Sequence, residues 1–299
     1  MSYFYIIIFV FLPLPTFFVF FIKIFYILFY FTNLNFLYDY LEIILYSADI
    51  YHYNLISLSV LPVHLGRDKK GRFIRKTLPI IPLPDKLIEA IIGELLGDGH
   101  LRFNKKGSDG KPKPNTNAQL AMTLKSKEHV DYLWQEVYKP ICSNTPPHPW
   151  PNPNTGKPVT QYHFASKALV SLSEIHSKWY IWSNRLNKFI KIVPLNIGEL
   201  LTPIGLAHWI MGDGYWDNYS KTVDICTDNF TLSEVELLIS VLKSKFNLTA
   251  TVKRRIKANK EVCWRIRFNS KTDNILKLIN VVKPHFIPSM FYKLNITTP

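Results

Sequence analysis

The sequence predicts an α+β protein built as two pseudo-symmetric lobes, and three observations predict it. Two glycine-aspartate-glycine elements each close an apolar, helix-like run: Ile91-Ile92-Gly93-Glu94-Leu95-Leu96-Gly97-Asp98-Gly99 and Leu206-Ala207-His208-Trp209-Ile210-Met211-Gly212-Asp213-Gly214. Asp98 and Asp213 lie 115 residues apart, the span of a small domain. Counted from each run, the predicted elements come in one order: helix, two strands, helix, two strands, helix. A duplication this long implies two related lobes. Finally, Trp264 to Asn269 alternates strictly, with Trp264, Ile266 and Phe268 against Arg265, Arg267 and Asn269, the mark of a half-covered strand.

Along the chain, the N-terminus is the most apolar part. Tyr3 to Ile22 carries no charge and is broken by Pro13 and Pro15; by length it qualifies as a transmembrane candidate. A membrane segment over residues 1–31 and a dispensable leader over 1–66 both remain open. Residues 67–84 form a basic, Pro-rich linker, since Pro79, Pro82 and Pro84 forbid continuous helix. The first lobe is expected over 85–195. Asp85 caps a helix over Lys86–Leu96. Strands come next at His100–Lys105 and Ala118–Lys125, then a helix at Lys127–Val137. Thr145–Pro158 is a long turn region, followed by a strand at Thr160–Ala165 and a helix at Ala168–Ser183. The second lobe, 196–299, has its motif helix at Thr202–Met211, a strand at Thr222–Thr227 and a helix capped by Thr231 and ending at Lys245. Strands at Thr249–Lys257 and Val262–Asn269 precede a helix at Thr272–Val282.

Charge points to the partner. The net charge is +14, but residues 67–299 hold 35 Lys and Arg against 19 acids, a balance of +16. That excess favours a polyanion. The polar faces of the last two strands are rich in Arg, Lys, Asn and Thr, which can contact phosphates and base edges. Gln119, Thr123, Lys125, Gln161 and His163 give the first half a matching, less charged face. Cys142, Cys226 and Cys263 have no metal-ligand spacing and read as reduced thiols. No phosphate-binding loop, dinucleotide fingerprint, zinc spacing or nucleophile elbow occurs.

Paired carboxylates at helix C-termini suit a metal. Mg²⁺ takes one or two protein carboxylates and keeps several waters. A carboxylate near the negative helix pole is disfavoured by about 0.3–1 kcal/mol, which a bound cation relieves. Gly93 and Gly97 share one helix face. Glycine inside a helix costs about 1 kcal/mol against alanine, and close approach of a second helix would offset it.

The two runs resemble the paired motifs of the LAGLIDADG homing endonucleases, in the single-chain, two-motif, organellar intron-encoded form, over roughly residues 85–295. The resemblance implies a saddle-shaped antiparallel sheet straddling duplex DNA, with the motif helices packed at the lobe interface. It implies Mg²⁺ or Mn²⁺ held by Asp98 and Asp213 with Gly97 and Gly212. It points to Lys191 and Lys293 as cations beside the scissile phosphate, although on sequence alone each reads as a solvated surface lysine. His100 is a further candidate helper. DNA contacts are expected from Arg102, Lys125, Gln161, His163, Lys253, Arg255, Arg265, Arg267 and Asn269. Two departures stand out. His208 replaces a small residue, so the helices cannot pack identically, and Glu94 replaces an apolar one. The implied activity is a double-strand break at a long, asymmetric target, promoting intron mobility by a monomer in a mitochondrion. The alternatives are a maturase that assists splicing of its own group I intron RNA, with or without nuclease activity, and a DNA-binding regulator that has lost catalysis.

Overall fold

The computed structural model describes residues 82–297; the expectations for the leader and for most of the linker lie outside the described residues. The first lobe contains α1 (Asp85–Leu96), β1 (His100–Phe103), β2 (Ala118–Leu124), α2 (Lys127–Tyr132, continued by a π-helical turn over Leu133–Val137), β3 (His148–Trp150), β4 (Gln161–Ala165) and α3 (Val170–Trp179). A hairpin of β5 (Tyr180–Ser183) and β6 (Lys188–Lys191) comes next. After the short α4 (Ile197–Leu200), the second lobe runs α5 (Pro203–Asp213), β7 (Gly214–Asp217), β8 (Thr222–Cys226), α6 (Leu232–Phe246), β9 (Ala250–Ile256), β10 (Val262–Phe268) and α7 (Thr272–Val282). A 3₁₀ segment, Pro288–Leu294, lies near the C-terminus. Among the described residues no helix is long and apolar enough to cross a membrane.

The duplication is explicit in the sheets. One has strand order β1-β2-β4-β3 and the other β7-β8-β10-β9, the same permutation twice, every pairing antiparallel. In β10, Ile266 and Phe268 are buried in the core and Trp264 packs on it, while Arg265 and Arg267 point the other way. The motif helices are the most deeply buried elements. Ile91, Leu95, Leu206, Trp209 and Ile210 are all fully buried, as expected for helices enclosed on every side.

Several expectations need correction. Asp85 is the first helical residue rather than the cap; Pro84 holds that position and no side chain caps the helix. The second motif helix runs through Asp213, and β7 starts immediately after it. The long turn region contains β3. The helix expected to reach Ser183 stops at Trp179, and Tyr180 to Lys191 folds as the β5–β6 hairpin. In the strand expected at Thr249–Lys257, alternation sets Ile256 opposite Lys253, Arg255 and Lys257 and so on the apolar face, but it is exposed because β9 ends there. Asn269 falls just past β10, and its side-chain oxygen accepts from the Lys271 backbone N–H at 2.9 Å, which commits it to a turn.

Thr231 does cap α6. Its hydroxyl accepts from the Glu234 N–H, and the Glu234 carboxylate accepts from the Thr231 N–H at 2.8 Å, so two otherwise orphaned donors are satisfied reciprocally. Thr231→Ala should therefore destabilise the fold by about 1 kcal/mol. Chemical denaturation would read this as a lower midpoint with an unchanged slope. An unchanged midpoint would show that the cap contributes nothing.

Candidate active site

The site is built where α1 and α5 touch. A Cβ placed on Gly93 would lie 2.2 Å from the Gly205 carbonyl oxygen and 2.8 Å from the His208 Cβ. Only glycine lets the two backbones approach this closely, which accounts for a residue that disfavours helix. The two departures noted in the sequence are partners across this contact. The His208 Nδ1 lies 2.9 Å from the Glu94 Oε1, and both side chains are buried. Burial raises the Glu94 carboxyl above its usual range, against the hydrogen bond from His208.

Just beyond each helix contact, the chain turns. The last glycine of each motif sits hard against its own helix: a Cβ on Gly99 would lie 2.7 Å from the Glu94 Cβ, and one on Gly214 2.6 Å from the Ile210 carbonyl oxygen. These turns aim the two aspartates across the interface. The Asp213 carboxylate lies against Gly97, 3.6 Å from where a Cβ would stand, and the Asp98 carboxylate lies about as close to Gly212, at 4.0 Å. Each acid thus sits beside the glycine that precedes the other.

Lys191 and Lys293 complete the arrangement, and neither is a free surface lysine. Lys191, at the end of β6, donates to the carbonyls of Gly97 (2.8 Å) and Gly99 (2.9 Å). Lys293, buried in the 3₁₀ segment, donates to Met211 (2.5 Å) and Gly212 (2.7 Å). Each lobe's lysine therefore grips the C-terminal carbonyls of that lobe's motif helix, where a cation is favoured. The hairpin that delivers Lys191 is anchored by the Leu101 N–H donating to the Tyr180 hydroxyl at 2.9 Å and by packing of Phe189 on Phe103 and His176.

The electrostatics reflect the burial of charged groups. Desolvation, reinforced by Asp98, pushes the Asp213 carboxyl up to about 7, against the pull of Lys191 and Lys293. Burial pushes the Lys191 ammonium down to about 8, against Asp213, Asp98 and Glu94. Burial holds His100 at about 4, aided by Arg102 and Lys191, so it is neutral at pH 7. Among the described residues neither Asp98 nor Asp213 has a hydrogen-bond or ion-pair partner, and no group of three or more His, Cys, Asp or Glu could hold a metal. Two unpartnered carboxylates fit Mg²⁺, which asks for few protein ligands. The Gly97 and Gly212 carbonyls each bind a lysine, and each oxygen keeps a second lone pair.

This arrangement makes stability depend on pH. A carboxyl whose folded pKa is raised to about 7 contributes stability that is complete below its unfolded value of about 4 and is lost as pH rises through about 7. Asp213→Asn removes that group. In chelator, the variant should therefore melt progressively higher than wild type as pH rises from about 5 to 8. Parallel melting curves over that range would contradict the assignment.

The expected DNA contacts divide by lobe. Arg102 and His163 are paired at 3.3 Å, and His163 meets the Thr123 hydroxyl at 3.0 Å. Gln161 is half-buried and Lys125 exposed on the same lobe, whereas Gln119 is buried and hydrogen-bonded to Asn104. In the second lobe Arg255 is exposed, but Lys253, Arg265 and Arg267 are each paired with an acid. Those acids, Asp217, Asp224 and Asp228, went unnoticed in the sequence. The available signal was the alternation of Thr222 to Cys226, which puts Asp224 on a polar face.

Comparison with known proteins identifies the family. Residues 88–276 match the model of the LAGLIDADG DNA endonuclease family. The cytochrome b mRNA maturase bI2 of Debaryomyces hansenii is 28% identical over 216 residues, covering 72% of this chain and 75% of that protein. The DNA endonuclease I-ChuI of Chlamydomonas applanata is 27% identical over 214 residues, covering 69% and 93%. Among solved structures, the homing endonuclease I-WcaI bound to its DNA recognition sequence superposes with a TM-score of 0.59 at 25% identity, over 73% of this chain and 89% of that one. With the family model spanning well over half its length and both motifs in place, this chain belongs to the LAGLIDADG DNA endonuclease family.

Proposed function

We propose that the protein is a site-specific DNA endonuclease that makes a double-strand break at a long, asymmetric target and so promotes mobility of the intron that encodes it, in a mitochondrion. The observation that carries this reading is the crossed pair Asp98 and Asp213, each with a lysine at its own helix end. Divalent metal, Mg²⁺ or Mn²⁺, would be held by the two carboxylates with the Gly97 and Gly212 carbonyls, and when bound it supplies Lewis acidity and an activated water. The chain's own part is electrostatic. Asp98 and Asp213 must be ionised to hold the metal. Lys191 and Lys293 would set one positive charge in each lobe beside the scissile phosphate, where charge develops during hydrolysis. The different polar faces of the two sheets favour a target that is only partly palindromic. Both lobes lie in one chain, so a monomer suffices.

The second reading is a group I intron maturase, favoured by the likeness to the bI2 maturase. One experiment separates the two. A plasmid carrying the exon sequences that flank this reading frame, fused without the intron, should be linearised by the full chain with Mg²⁺. A chain that leaves that plasmid intact while accelerating splicing of the intron transcript would be a maturase alone.

A further inference from the structure

The polar face of the second sheet looks cationic in sequence, but its central cations are electrically closed, while Arg255 near the end of β9 stays exposed. At its centre the Asp224 side chain is fully buried. It accepts from the Arg267 Nε at 2.9 Å, the Arg267 Nη2 at 2.9 Å, the Lys253 Nζ at 2.7 Å and the Tyr215 hydroxyl at 3.0 Å. Arg267 also donates to the Asp217 carboxylate and, at 2.8 Å, to Ser220. Beside it, Arg265 donates to Asp228 at 3.2 Å and to the Tyr215 hydroxyl at 3.0 Å. Three cations thus meet three carboxylates. Burial works against the Asp224 charge, yet the hydrogen bonds from Arg267, Lys253 and Tyr215 hold its carboxyl below the usual range.

This closure has two consequences. A guanidinium with five N–H donors, four of them already committed, keeps a single pose and offers one remaining donor at a fixed point. A cation whose charge is already cancelled also adds little to the counterion release that drives non-specific DNA binding. The first sheet differs. Its Arg102 pairs with the uncharged His163, and among the described residues it has no carboxylate partner.

We propose that Asp224 and Asp217 are specificity-positioning residues: by clamping Arg267 and Lys253 between them and cancelling their charge, the two acids make the second lobe read its DNA half-site by hydrogen-bond pattern rather than by phosphate attraction. The proposal rests on duplex DNA being the partner, as the endonuclease reading has it. It is a statement about sequence discrimination, which cleavage alone does not measure.

The test uses the full chain, wild type, Asp224→Asn and Asp217→Asn, with a randomised duplex pool sequenced after binding and with affinity for one random duplex measured across salt concentrations. Asp217→Asn guards against misfolding at the buried position, because asparagine keeps the side-chain oxygen that accepts from the Tyr219 and Ser220 N–H groups. Both variants should bind random duplex more tightly at low salt, with a log–log salt slope steeper by about one per cation released. Both should lose about tenfold of base preference at adjacent positions in one half of the enriched site, the other half staying unchanged. An enriched site with unchanged slope and preference in Asp217→Asn would overturn the proposal alone, as would equal loss in both halves. A wild-type chain that enriches no duplex sequence would overturn the DNA-cleavage reading with it.

Discussion

Asp98→Asn and Asp213→Asn should each abolish double-strand cleavage while leaving duplex binding largely intact, with plasmid stopping at nicked circle or remaining supercoiled. Asparagine matches the shape of the carboxylate but removes the negative charge that holds a divalent cation. Both residues lie at helix ends against the opposite motif. Each substitution also removes a partly desolvated charge, so the fold should not suffer. The expected loss in single-turnover cleavage is roughly 10²–10³-fold or more, the scale of removing a group that stabilises transition-state charge. Full linearisation at the wild-type rate by either variant would refute the assignment.

Gly93→Ala should be the most damaging small substitution in the protein. The added methyl would stand 2.2 Å from a backbone oxygen of α5, and α5 is itself fixed by its helical hydrogen bonds. The helices must part, and the adjacent buried Glu94–His208 pair must part with them. Overpacking of a tight core costs about 1–3 kcal/mol when side chains can yield; here the obstacle is backbone, and about 3 kcal/mol or more is expected. Gly97→Ala is the control. Its methyl would meet the Asp213 carboxylate at 3.6 Å, an ordinary contact, so that variant should melt close to wild type and change metal binding instead. Equal melting temperatures for Gly93→Ala and wild type would mean that the interface is looser than described.

What the sequence revealed was what local periodicity encodes. The motif helices, the alternation in β10 and the Thr231 cap depend on neighbours within a few residues, and each lies within two residues of where it was expected. The β5–β6 hairpin was hidden because its first strand continues the apolar run of α3 without a glycine or proline between them. The only warning was the polar turn Ser183 to Asn187, where Asn187 adopts a left-handed conformation. Lys191 could not be told from a surface lysine, since its burial comes from a hairpin that brings it to Gly97, 94 residues away. The pairing of Arg267 with Asp224 depends on strand register, which places those two residues directly opposite each other. Composition showed an excess of cations there but not that three of them were already matched.

The most direct test of the metal centre is a Mn²⁺ titration of the full chain bound to duplex DNA, monitored by electron paramagnetic resonance. Wild type should take up Mn²⁺ that Mg²⁺ displaces, and Asp98→Asn and Asp213→Asn should each lose most of that uptake at the same metal concentration. Uptake unchanged in both variants would contradict a metal held between the two motif helices.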